Sequence, residues 1–137
     1  MSRITNTLFL IILSLLTCGL PSKSFGQVDS ILSLPEADRQ MALGSVFGKI
    51  GSDYHGGASK KLEDLQHAFE KKKEEDLALL CLLQQLRLFP ATTQQEIDAK
   101  EEFLLNAIRE AQRKGLKRRE AELLLYGGTN DAYYGRW

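Results

Sequence analysis

Apolar side chains recur at helical spacing through most of the chain beyond residue 33. Ser33-Leu34-Pro35-Glu36 is a Ser-x-x-Glu capping arrangement with proline in the first turn, and it predicts a helix start. Met41, Leu43, Val46, Phe47 and Ile50 then supply a loose stripe, which Gly51-Ser52-Asp53 and Gly56-Gly57 bring to an end. Gly44 and Gly48 each weaken that helix by about 1 kcal/mol relative to alanine, or let a neighbour approach closely. Ser59 is placed to cap a second helix carrying Leu62, Leu65 and Phe69 on one face. From Leu77 to Phe89 the chain is apolar almost all the way round, as expected of a helix touched by neighbours on more than one side. Pro90 stops it, and Ala91-Thr92-Thr93 makes the turn.

A fourth helix is expected over about Gln94 to Lys114, with Ile97, Glu101, Leu104, Ile108 and Ala111 alternating at four and three, Leu105 widening the stripe, and Gly115 as the stop. A fifth runs from about Lys117 to Tyr126 or further, with Ala121, Leu124 and Leu125 facing inward. No segment sustains a two-residue alternation, and there is no Asn-Gly hairpin signal. The expected fold is all-α: about five antiparallel helices arranged as stacked hairpins, joined by loops of about 2 to 8 residues.

The first 26 residues follow a different plan. Arg3 lies in a short polar start, Leu8 to Leu20 is apolar, and Pro21 opens a polar stretch, the three parts of an export signal. The apolar run reaches only about 20 Å as a helix, short of the roughly 30 Å of hydrocarbon that a spanning helix crosses. Ser24-Phe25-Gly26 offers small side chains at the first and third positions before a cut, so residues 1–26 are expected to be a leader and 27–137 a helical-hairpin domain, either C-terminally incomplete or standing alone, with Gln27 as the new N-terminus. This predicts an exported chain, periplasmic or secreted, with no stable transmembrane anchor in its mature form. Leu15-Leu16-Thr17-Cys18 resembles a bacterial lipobox and offers the alternative of a lipoprotein anchored at Cys18.

Charge and composition narrow the functional classes. Lys and Arg number 18, Asp and Glu 18, so no global field favours nucleic acid or an anionic membrane. Loss of Arg3 and Lys23 with the leader leaves 16 cationic against 18 acidic side chains, a formal charge of −2. Cys81 then remains alone among the thiols, set in the run Leu79 to Leu83 as a buried small hydrophobe. His55, in Asp53-Tyr54-His55-Gly56-Gly57, and His67 have no ligand-spaced companions, and the Gly-Gly pair lacks the Lys-Ser/Thr of a phosphate loop. No serine lies in a Gly-x-Ser-x-Gly elbow. No catalytic, cofactor-binding or metal residue is therefore expected.

Two charged segments invite a nucleic-acid reading. Lys71-Lys72-Lys73-Glu74-Glu75-Asp76 instead suits the end of one helix followed by the start of the next, with each charge complementing a macrodipole. Arg109, Arg113, Lys114, Lys117, Arg118 and Arg119 crowd around Gly115, interleaved with Glu110 and Glu120. Export makes nucleic acid a poor partner for them, which leaves a solvated helix end or a site for an anionic partner protein or lipid headgroup.

The last third of the chain resembles a tetratricopeptide-repeat boundary. Leu104, Ile108 and Ala111 match the four-then-three spacing of the family's second helix. Ala121-Glu122, then Gly128, then Gly135-Arg136-Trp137 resemble its first helix and Gly-x-aromatic turn, with Asp131 at an expected aromatic position and Tyr133 and Tyr134 displaced beyond it. The resemblance covers roughly residues 75 to 137 and implies an interaction module for a protein or peptide partner, similar to the exported front of a bacterial repeat-containing sensor or regulator. Tyr126, Tyr133, Tyr134 and Trp137 would be contact residues, or packing for a further helix. The alternative is a small exported helical enzyme or ligand carrier, for which only Asp53 and His55 are on offer.

Overall fold

The computed structural model describes residues 23–52, 57–88 and 91–133. Among them it contains six helices: α1 (Lys23–Leu32), α2 (Glu36–Gly51), α3 (Ala58–Lys71), α4 (Glu75–Leu88), α5 (Gln94–Arg113) and α6 (Lys117–Tyr133). The described residues are all-helical, one helix more than the pattern beyond residue 33 predicts. The leader's apolar run, Cys18, His55, Pro90, Tyr134 and Trp137 lie outside the described residues.

The added helix is α1. Its Val28 and Ile31 are buried, and Phe25 packs against the same cluster beneath Lys71, whose Nζ lies 5.3 Å from the ring centroid. Lys72 pairs with Asp29 at 2.9 Å, so the charged end of α3 holds α1 in place. The expected leader boundary after Gly26 falls inside this helix.

Because α1 continues to Leu32, the Ser33–Glu36 capping box does not form. Ser33 belongs to the closing turn of α1: its N–H donates to Asp29 O (3.0 Å) and its Oγ to Ser30 O (2.7 Å). Pro35 takes the N-cap position of α2, without a side-chain bond. Arg39, one turn into α2, reaches back to donate to Leu34 O and Leu32 O, both at 3.0 Å, and satisfies carbonyls that the end of α1 leaves open. At α3 the cap is Gly57 in the left-handed region (φ 88), and Ser59 sits inside the first turn. The glycines at 44 and 48 admit no close neighbour: a Cβ at either position would meet nothing within 4 Å.

The capping box forms at α5 instead. Thr93 Oγ1 accepts from Glu96 N (3.2 Å), and Glu96 Oε2 accepts from Thr93 N (3.0 Å) and from the N–H and hydroxyl of Thr92 (2.8 and 2.9 Å). The Thr92 backbone N–H, followed by the Thr92 hydroxyl and Thr93 N–H, lowers the carboxyl pKa from 4.5 to about 2. A folded-state pKa below the unfolded value means that the stabilisation is complete above about pH 4.5 and is lost as pH falls towards about 2. Glu96→Ala is therefore expected to destabilise the fold at neutral pH and to make progressively less difference on acidification. Urea unfolding of both proteins at pH 7 and under acid conditions checks this, and an equal cost at both would refute it.

The charge run Lys71–Asp76 lies where its pattern predicts, between the end of α3 and the start of α4. Lys73 adopts φ 62, a left-handed cap more often given to glycine, and lets Glu74 N donate to Phe69 O at 3.0 Å. Gly115 (φ 69) closes α5 in the same manner, with Leu116 N on Ala111 O at 2.9 Å.

α4 divides the core. Leu77, Ala78, Leu80 and Cys81 join the buried side chains of α1, α2 and α3, centred on Leu43, Leu62 and Phe69. On its other side Leu79, Leu82, Leu83 and Leu86 meet Leu104, Ile108 and Ala111 of α5 and Leu123 of α6. Leu86 O, near the end of α4, receives Tyr126 Oη at 2.8 Å and Lys100 Nζ at 3.1 Å.

The inward face of α6 differs from the sequence expectation. Arg119 and Leu123 are buried, whereas Ala121 is exposed and Leu124 and Leu125 are 52% and 68% exposed. A Leu-Leu-Leu run offers three registers. Arg119, four residues before Leu123, selects one of them by bonding to α4.

Candidate functional site

Consecutive helices pack on one another, and among pairs separated by one, α1 and α3, α2 and α4, and α4 and α6 also lie together. α3 and α5 do not. Both rest on α4 without meeting, and the gap between them is a groove of about 470 Å³. Its floor is apolar: Ala78, Leu79 and Leu82 from α4, with Ala107 from α5 and Phe103 half-exposed at the edge.

The groove has a defined end on each side. Gln85 Nε2 donates to Gln66 Oε1 at 2.8 Å and ties α4 to α3 at one end. At the other, Lys114 is in close contact with Glu75 and lies 3.2 Å from Glu110. Arg113 adds bonds of 2.7 and 3.0 Å to the Glu110 carboxylate and, with Lys114, holds its pKa at about 2. Glu70 faces the groove from α3. Burial alone would raise its pKa, but bonds from Gln66 (2.8 Å) and His67 (2.9 Å) outweigh that and keep it below the ordinary value.

The polar cleft beside α2, α4 and α6 is of a different kind. There the Arg119 guanidinium, 1% exposed, donates from Nε and Nη2 to the two Asp76 oxygens at 2.9 and 3.0 Å, and from Nη1 to Glu122 at 2.5 Å. Burial opposes the charge, yet the Asp76 bonds, with help from Glu122, raise the Arg119 pKa above its ordinary value. Arg39 lies 3.9 Å from Glu74 across the same seam. Cation and anion are matched here, so the cleft is a joint between helices.

The cationic cluster around Gly115 is likewise matched within the chain. Arg119 is buried, Arg113 and Lys114 serve Glu110 and Glu75, and Lys117 and Arg118 each lie 3.2 Å from a carboxylate, Glu120 and Glu122. Arg109 reaches Asn106 at 3.4 Å. Cys81 is fully buried, and desolvation, reinforced by the negative charge of Glu70, pushes its thiol pKa well above the ordinary value, which leaves almost no thiolate for chemistry. His67 is exposed between Glu63 and Glu70. Among the described residues no cluster of His, Cys, Asp and Glu is placed to hold a metal ion, and no helix is long and apolar enough to cross a membrane.

Tyr126 bonds into the joint between α4 and α6, and the side chain of Tyr133 lies outside the described residues, as does all of Tyr134 and Trp137. Phe103 was hidden because the stripe through Leu104, Ile108 and Ala111 accounts for the buried face of α5. The signal that reveals it is a second row, Phe103, Ala107, Glu110 and Lys114, at four, three and four. Compared with known proteins, the chain matches no family model, no curated protein and no solved structure.

Proposed function

We propose that this chain is a non-catalytic interaction module of an exported bacterial protein, in which tetratricopeptide-like helical hairpins present the groove between α3 and α5 to a protein or peptide. The observation that carries the reading is a half-exposed aromatic side chain, Phe103, standing over an apolar floor between two helices that do not close on each other. Three-residue turns between α3 and α4 and between α5 and α6, and the packing of alternate helices, suit stacked hairpins. Buried or paired reactive groups favour docking over chemistry.

A photo-crosslinking amino acid at position 103, in the full chain expressed in an exporting bacterium, tests the proposal. A discrete crosslinked partner in the exported fraction is expected, lost when Asn106→Trp fills the groove mouth while the circular dichroism melt stays unchanged. No crosslink, or crosslinks indifferent to the blocked groove, would overturn it.

A further inference from the structure

We infer that the occupant of the α3–α5 groove is a cationic amphipathic segment of another protein, with an apolar side chain on the Leu79–Leu82 floor beside Phe103 and Lys or Arg side chains against the acidic rim. This rests on the reading of the groove as a docking site and adds the chemistry of the partner.

The charges at the groove are unequal. Glu70, Glu75 and Glu110 line it; Arg113 neutralises Glu110 from outside the lining and Lys114 is the lining cation, so the excess is one carboxylate, Glu70. The Lys114 ammonium is already committed to Glu75 and Glu110 at one end, so it offers little to an incoming anion. Glu70 stands on the opposite wall, bonded to the amide of Gln66 and the ring of His67, while Lys114 acts on it through space without a direct bond. Without a direct Lys or Arg bond, that carboxylate keeps a field that the low-dielectric walls beside it strengthen for a cation entering the groove. The whole chain is formally neutral, so a preference for cationic partners would come from this local excess and not from net charge.

The floor sets the second requirement. Leu79 and Leu82 are three apart on α4, and Phe103 and Ala107 four apart on α5, a surface suited to a helical apolar stripe. An acidic amphipathic segment would meet the same floor but would bring its carboxylates against Glu70 and Glu110.

Two fluorescent peptides of about 18 residues, sharing one leucine stripe and carrying either Lys or Glu on the polar face, test this against the full chain by fluorescence anisotropy. At about 50 mM salt the Lys peptide is expected to bind about tenfold or more tightly than the Glu peptide, and the advantage to shrink at about 300 mM. Glu70→Lys is expected to abolish the preference, and Asn106→Trp to weaken both peptides. If both bind equally and Asn106→Trp weakens both, the charge inference falls and the groove stands. If neither binds, or binding ignores Asn106→Trp, the docking reading falls and the inference with it. A preference that persists in Glu70→Lys also overturns the inference.

Discussion

Replacing Phe69 by alanine is expected to lower stability by about 3–5 kcal/mol, a large share of the roughly 5–15 kcal/mol that holds an ordinary domain together. Phe69 is fully buried in the cluster that joins α1, α2 and α3 to one face of α4, and its neighbours belong to separate helices that cannot all collapse into the vacated space. Leu83→Ala, fully buried on the other side of α4, is expected to cost about 2–5 kcal/mol. The two losses bear on cooperativity. α4 supplies side chains to both clusters, so neither half keeps its core if the other opens. Denaturant unfolding should therefore show one transition in each variant, shifted to lower midpoint with an unchanged slope. A split transition in Phe69→Ala, with the α5–α6 side surviving, would mean that α4 does not couple the clusters.

The position of α4 was legible because a segment apolar all round can only be an interior helix, and the charge reversal from Lys73 to Glu74 marked the boundary before it. α1 was not legible. Its two buried side chains, Val28 and Ile31, are too few to form a stripe, and the export pattern before them claims Phe25. Two segments carry the same cap pattern, Ser33-x-x-Glu36 and Thr93-x-x-Glu96, and only the second forms a capping box. The difference lies outside the motif: Ser33 is held by the last turn of α1, whereas Thr93 follows a turn and is free to bond forward. The groove was hidden for a related reason. Its floor comes mainly from α4 and its walls from α3 and α5, so no single stripe contains it, and the failure of α3 and α5 to meet is a property of packing.

The inward face of α6 carries a buried charge. Arg119 is 1% exposed, yet its two anionic partners are not: the Asp76 side chain is 44% exposed and that of Glu122 27%. The two ends of this ion pair should therefore respond differently to mutation. Asp76→Ala leaves a guanidinium inside the joint of α2, α4 and α6 with Glu122 as its remaining anion, and is expected to cost about 2–4 kcal/mol. Arg119→Met keeps an apolar stem against the same neighbours and releases two carboxylates that water can reach, so the expected cost is about 1 kcal/mol. In the double variant the buried charge is absent, so removing Asp76 should add only the loss of its favourable place in the first turn of α4, about 0.3–1 kcal/mol. Urea unfolding of the four proteins gives the cycle directly. Additive costs, or a larger loss from Arg119→Met than from Asp76→Ala, would show that the guanidinium is not stranded when Asp76 is removed, and that a feature other than this pair turns Leu123 inward.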